Sequence, residues 1–282
     1  MADTEDIVSV IGRFFTIKRR GRLYTTVEHD SLIIWPDTNS WYWYSRGIGG
    51  GVRAWYRLWG LTPPSTVSPL QKRRKRNSIV ALDNSLHLYF EKQMTSADRN
   101  WWYSRGLDEQ TIANFHNGVC HHELYGRCYT IPLLNDGKLR NIKLRLTDKA
   151  ERFGRYRFFY RNQPLCDVLF NKDALTAKEK IYLVAGEIKA EVMTRFDLTA
   201  LSGVNGCQHW HPSWDELLRG RNICLVFDPG EEEHAFRIGR RLCKNSRVRI
   251  LQLPHKPDDF ILKYGRAAFL EYEKLYSTEV TK

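Results

Sequence analysis

The sequence predicts an α+β protein: a small β-rich unit in front, a mixed middle region, and a C-terminal α/β segment built on a parallel sheet. Three observations carry that reading. Five of the nine tryptophans (Trp35, Trp41, Trp43, Trp55 and Trp59) fall close together near the start, among short β-like runs. Further on, Tyr129–Leu134 and Leu139–Leu146 alternate around Asn135-Asp-Gly137, the turn chemistry of a tight hairpin. In the last third, Ile181–Val184, Ile223–Phe227 and Val248–Leu253 are short and almost wholly apolar, and helical stretches follow the first two. Strands without alternation, interleaved with helices, imply a parallel sheet covered on both faces.

The elements follow in order. Asp6–Phe15 has helical apolar spacing through Ile7, Val10, Ile11 and Phe14. Arg20-Gly21-Arg22 then turns the chain into β-like segments at Leu23–Val27, Ser31–Trp35 and Trp41–Tyr44, with a hairpin turn at Pro36–Asn39. Gly47–Gly51 breaks the pattern and Val52–Trp59 reads as a closing helix. Thr62-Pro-Pro-Ser-Thr-Val-Ser-Pro69, followed by the basic run Lys72–Arg76, reads as an exposed linker. Ser85–Phe90, Ser96–Tyr103 and Asp108–Phe115 are helical, the last with acids in its first turn, where the helix dipole favours them. In the last third the helices are Ala190–Phe196 and His234–Cys243. The expected organisation is a front domain over 1–62, a basic linker over 63–80, a core subdomain over 81–178 and a C-terminal subdomain over 179–282.

Composition narrows the function. The chain has 282 residues, 42% of them hydrophobic and 13% aromatic, enough for a packed core and too much for a disordered chain. No apolar run approaches the roughly 20 residues a bilayer requires, and the acidic start Met-Ala-Asp-Thr-Glu-Asp lacks the apolar run of a secretory signal. A soluble, cytoplasmic protein with no membrane partner is expected. Six cysteines without a Cys-x-x-Cys pair read as free thiols. The cluster Cys120-His121-His122 with Cys128 does not have a standard zinc spacing.

The formal charge is +12, and it is uneven: +7 over residues 1–80, +4 over 81–178 and +1 over 179–282. An asymmetric basic field rich in aromatics suits a polyanion, with cations on phosphates and rings on bases. The run Lys72–Arg76 alone reads equally well as a solvated linker.

Two strand ends carry acids: Ala185-Gly186-Glu187 after the first parallel strand, and Asp228-Pro-Gly-Glu-Glu-Glu233 after the second. Ligands of parallel sheets gather at such ends, and adjacent strands would bring these two turns together. Converging carboxylates are tolerated chiefly when a hard cation such as Mg²⁺ bridges them. On spacing alone, the acids read first as a helix N-terminus whose dipole favours them.

These segments resemble the TOPRIM domain of DnaG-type bacterial and phage DNA primases. The resemblance rests on Leu183-Val-Ala-Gly-Glu-Ile-Lys-Ala190, Val226-Phe-Asp-Pro-Gly-Glu231, Leu253-Pro-His-Lys-Pro-Asp-Asp-Phe260 and Lys263-Tyr-Gly265. It extends upstream through Arg105–Phe115, Ile131-Pro132, Gly137-Lys138, Lys143-Leu-Arg145, Arg155-Tyr156 and Leu169-Phe170-Asn171. The front unit Asp6–Gly60 resembles the family's zinc-ribbon domain, including Lys18-Arg-Arg-Gly-Arg22 and Gly49-Gly50. No counterpart of the family's helicase-binding domain is expected in these 282 residues.

The resemblance implies a nucleotidyltransferase that makes short RNA primers from ribonucleoside triphosphates on single-stranded DNA, using Mg²⁺ or Mn²⁺. A separate helicase or polymerase of a phage or plasmid replication system is a candidate partner. Asp228, Glu232 and Glu187 are then the expected metal ligands, with Glu187 alternatively the base. Lys143, Arg145 and Arg155 are expected to hold phosphates, and Arg19, Arg20, Arg22 and Trp41 the template.

Two departures qualify this. The four zinc-ligand positions are Thr26, His29, Trp43 and Arg46, so no zinc is expected and Trp35, Trp41, Trp43 and Trp55 are expected to hold the front unit together. The family's catalytic glutamate is Ala185, its following aspartate is Lys189, and Gly230 replaces the second acid of Asp-x-Asp. Ala185 reads as an engineered inactivation, as a loss made good by Glu187, or as the mark of a degenerate relative. The last is the alternative function: a single-stranded nucleic-acid-binding protein of a replication or mobile-element complex that does not polymerise. A topoisomerase or TOPRIM nuclease is disfavoured because the chain is too short for a strand-passage domain.

Overall fold

The computed structural model describes residues 5–63 and 82–281, apart from Arg22, 148–153, 161–162, 164, 166 and 177–179. The expected template contact Arg22 and the basic run Lys72–Arg76 lie outside the described residues. The chain divides into two compact units, Met1–Arg76 and Asn77–Lys282.

In the first unit, α1 (Ile7–Gly12) opens on Asp6, whose carboxylate accepts the Ser9 N–H and so satisfies an end donor of the helix. A five-stranded antiparallel sheet follows in sequential order: β1 (Ile17–Arg20), β2 (Leu23–Thr26), β3 (Leu32–Trp35), β4 (Ser40–Trp43) and β5 (Ile48–Gly51). The helix α2 (Val52–Leu58) closes the unit. The glycine run expected to break the pattern is instead the edge strand β5. Side-chain-free Gly49 leaves room for the Tyr42 ring, whose Cδ2 would lie 2.5 Å from a Cβ there.

Alternation decides the fate of the tryptophans. Trp41 and Trp43 face inward with Leu32, Ile34 and Trp55, all buried. Trp41 is therefore not available to stack on template bases. Its indole N–H donates to the Gly51 carbonyl at 3.2 Å, deep in the sheet. The outward residues of the same strand are Ser40 and Tyr42, half-buried, and Tyr44 beyond it is exposed. Trp43 is core, as the sequence suggests. The four positions Thr26, His29, Trp43 and Arg46 gather: Thr26 Oγ1 accepts the His29 N–H at 3.0 Å, the His29 and Trp43 rings are 4.6 Å apart, and the Arg46 guanidinium lies 3.9 Å from the Trp43 ring centre.

The second unit starts with three short helices, α3 (Leu86–Lys92), α4 (Ser96–Ser104) and α5 (Glu109–Asn114). Thr95 and Asp98 form a reciprocal capping box on α4, and Asp108 caps α5. A four-stranded antiparallel sheet follows, β6 (Gly118–His122), β7 (Gly126–Asn135), β8 (Lys138–Leu146) and β9 (Tyr156–Phe158). The β7–β8 turn places Asp136 and Gly137 at φ 53° and 67°, the left-handed geometry that Asp-Gly supplies at low strain.

The six-stranded sheet has the order β10 (Leu169–Phe170), β12 (Ala200–Gly203), β11 (Ile181–Val184), β13 (Asn222–Leu225), β14 (Arg247–Ile250) and β15 (Thr278–Glu279). Its four central strands are parallel and both edges antiparallel. Its helices are α6 (Glu187–Arg195), α7 (Ser213–Leu217), α8 (Glu232–Leu242) and α9 (Pro257–Tyr276), the last kinked at Gly265. Tyr182 and Val184 pack into one cluster with Ile188, Val192 and Phe269, while Ile181 and Leu183 pack into another with Ile238 and Leu242. Both faces are covered, so the strands need no polar alternation. Among the described residues, no helix is long and apolar enough to cross a membrane.

Candidate nucleic-acid cleft

β11 and β13 are adjacent and parallel, so the turns after them lie side by side as the sequence suggests. Gly186, at φ 132° and ψ 141°, makes the sharp turn from β11 into α6, and its N–H donates to Ser202 Oγ at 2.8 Å.

What those turns present differs from the expected three-carboxylate site. Glu187 is buried and points at β8, where the Lys143 ammonium donates to both its oxygens at 2.7 and 2.8 Å and to the Val204 carbonyl at 2.8 Å. Lys143 is thus committed to an internal ion pair, and its expected role as a phosphate contact is corrected. Asp228 is met by Lys189, whose ammonium lies 3.1 Å from Oδ2 and donates to the Ala185 carbonyl at 2.9 Å. Glu232 folds back on its own turn, accepting the Gly230 N–H at 2.8 Å, a bond that holds its carboxyl below the usual range. Asp228 and Glu232 do line one shallow cleft of about 240 Å³ with Phe227, Ile250 and Leu253.

A further acid, Asp258 in the first turn of α9, belongs to this neighbourhood. Burial raises its carboxyl, and both Lys189 and Asp228 act on it through their charges. Oδ1 of Asp228 and Oδ1 of Asp258 are buried without hydrogen-bond partners among the described residues. The spacing of Leu253–Phe260 does not distinguish Asp258 from Asp259; the packing of Phe260, Ile261 and Phe269 of α9 against Tyr182 and Val184 is what buries it.

A hard divalent ion needs several oxygen ligands. At the strand ends Ala185 offers a methyl, Gly230 nothing, and Lys189 a positive charge. Among the described residues no three His, Cys, Asp or Glu side chains group to hold a metal ion. The structure does not gather Glu187 with Asp228 and Glu232 as one ligand set: Glu187 is paired with Lys143, while Asp228 and Glu232 line the cleft.

A separate basic cluster is centred on the four-stranded sheet. Arg145 on β8 stands between Tyr129 on β7 and Tyr156 on β9 in the strand register, its guanidinium 5.0 Å from the Tyr156 ring centre. Trp101 of α4 stacks on Tyr129 at 3.7 Å and 8°. Burial lowers the pKa of Arg145; Tyr156 opposes that shift, while the charges of Arg155 and Arg105 add to it. None of these three arginines has a carboxylate within ion-pair distance among the described residues. Arg155 is exposed just before β9. Arg105, at the end of α4, was missed as a site residue. Its signal in the sequence was slight: one arginine before a helix-ending glycine. In the first unit, Arg19 and Arg20 are exposed with Lys18 on the edge strand β1.

No protein-family model matches the chain, and no curated protein matches its sequence. Its fold does match solved structures. The Aquifex aeolicus primase, over its zinc-binding and RNA polymerase domains, matches with TM-score 0.57 at 14% identity, covering 98% of this chain and 84% of that one. The Escherichia coli primase catalytic core gives 0.56 at 14% identity, over 70% of this chain and 79% of that one. The RNA polymerase domain of Mycobacterium tuberculosis primase DnaG in complex with double-stranded DNA gives 0.53 at 17% identity, over 67% and 77%. The chain has the fold of the DnaG-type primases.

Proposed function

We propose that this chain is a primase-fold protein that holds single-stranded DNA along the arginine cluster of its four-stranded sheet without itself polymerising. On this reading the six-stranded sheet is a TOPRIM subdomain that has lost its catalytic acids. The first unit is a ribbon in which the cluster around Trp43 stands where the family has zinc. The observation that carries the proposal is that Arg105 and Arg155 act on Arg145 through their charges and that none of the three has an acidic partner among the described residues. Like charges held together destabilise a fold unless a polyanion completes them, and backbone phosphates are that polyanion. Tyr156 beside Arg145 adds a ring for stacking.

Fluorescence anisotropy with labelled single-stranded oligonucleotides tests this. Arg145→Gln is expected to weaken binding alike for all sequences and to flatten the salt dependence by about one unit or somewhat less. An unchanged slope would remove Arg145 from the interface.

One observation favours a second reading, metal-dependent primer synthesis from ribonucleoside triphosphates: the two unpartnered oxygens on Asp228 and Asp258. An incorporation assay with labelled ribonucleotides in Mg²⁺ or Mn²⁺ separates the readings. Binding without synthesis is the expected result, and template-dependent primers would establish the second reading instead.

A further inference from the structure

We infer that the Lys189 ammonium is a built-in replacement for a divalent cation, so that the strand-end acids are neutralised by the chain itself. The inference stands on geometry within the second unit and does not depend on nucleic-acid binding.

Lys189 sits in the first turn of α6 and its side chain runs back toward the end of β11. A Cβ on Gly186 would lie 3.6 Å from the Lys189 Nζ, an ordinary contact, so the φ of 132° and not the ammonium is what calls for glycine there. The ammonium donates to the Ala185 carbonyl at 2.9 Å and forms an ion pair with Asp228 Oδ2 at 3.1 Å. Lys189 and Asp228 side chains are only 17% and 21% exposed, so the pair is sheltered from solvent screening. Asp258 lies in the same electrostatic neighbourhood. One charge thus serves a backbone carbonyl and a carboxylate with a second carboxylate nearby, an arrangement of oxygens that otherwise suits a hard cation.

The arrangement has a consequence particular to this chain. Without the ammonium, the Ala185 carbonyl, both oxygens of Asp228 and Oδ1 of Asp258 become a set of uncompensated oxygen donors. The acids then repel each other unless a cation enters. Lys189→Met keeps most of the apolar stem and removes only the charge, so it should unmask a divalent site that the natural residue suppresses.

The test is Mn²⁺ titration of the full chain, following the free-ion electron paramagnetic resonance signal, together with thermal melting in millimolar Mg²⁺ or Mn²⁺. The wild-type chain is expected to bind no stoichiometric Mn²⁺ and to melt at the same temperature with or without either ion. Lys189→Met is expected to melt lower in chelator, to bind Mn²⁺ at least about tenfold more tightly than wild type, and to regain melting temperature as Mn²⁺ is added. Lys189→Met with Asp228→Asn, which removes both charges, is expected to fold without Mn²⁺ and to bind none. One Mn²⁺ per wild-type chain, abolished by Asp228→Asn, would overturn the inference. So would a Lys189→Met chain that Mn²⁺ neither binds nor rescues.

Discussion

Replacing Glu191 with glutamine is expected to stabilise the protein at pH 8 and to remove most of its loss of stability between about pH 4.5 and 8. Glu191 lies on the inner face of α6, wholly buried, one helical turn beyond Glu187. Burial pushes its carboxyl up to about 8; the hydrogen bond that Asn117 Nδ2 donates to Oε2 at 2.8 Å opposes the shift, and the charge of Glu187 adds to it. The folded state therefore keeps a proton on Glu191 through a range where the unfolded chain has released it. Because the folded state binds more protons there, stability is full below about pH 4.5, falls as pH rises, and levels off above about 8. Glutamine has the shape of the protonated acid and no proton to lose. The gain at pH 8 should be about 4 kcal/mol, or on the order of 10 °C in melting temperature for a unit of this size. At pH 4.5 the two proteins should be nearly equal. Denaturant unfolding of both chains across this range checks it, and a pH-independent difference would mean that Glu191 is ionised in the fold.

Glu191 also illustrates what a single sequence conceals. The helix it belongs to was legible, because Ala190, Val192 and Met193 follow an apolar strand, but nothing in the spacing says that the face shared by Glu187 and Glu191, four residues apart, is the buried one. The parallel sheet was legible for a stronger reason. Strands buried on both faces leave apolar runs that no amphipathic element shares, so β11, β13 and β14 were legible as strands, while their order in the sheet was not. Short edge strands left no such trace: β10 has two residues, β15 has two, and β5 is mostly glycine. At the site, the types of residue were legible and their pairings were not. Lys143 and Lys189 each looked like one more cation in a basic chain. Only the packing of β8 against α6 and the turn at Gly186 reveal that each is matched to an acid far from it or facing away from it in sequence. Trp41 failed for a related reason: aromatic abundance suggests stacking, while strand alternation, which assigns the face, gives it to the core.

The Lys143–Glu187 pair permits a second large prediction, because its two readings part sharply. Glu187 is 3% exposed and Lys143 12%, so the ions are held away from water and depend on each other. Lys143→Met leaves a buried carboxylate without its ammonium and is expected to destabilise the protein by about 3–5 kcal/mol at pH 8. The loss should be largest at pH 8, because the uncompensated charge of Glu187 then faces Glu191 as it ionises. Glu187→Met alone strands the ammonium instead, leaving it the Val204 carbonyl at 2.8 Å and the Tyr156 ring at 4.9 Å. The double variant, Lys143→Met with Glu187→Met, removes both charges and fills the space with apolar atoms. It should recover most of the loss, giving a coupling energy of roughly 2 kcal/mol or more in a double-mutant cycle. Independent roles for the two residues, a phosphate contact and a metal-bound base, predict additive effects on stability instead. DNA affinity supplies the second axis of the same experiment. If Arg105, Arg145 and Arg155 hold the strand, the double variant should bind single-stranded DNA with little change in salt slope, whereas a flattening by about one unit would return Lys143 to the phosphate-binding set.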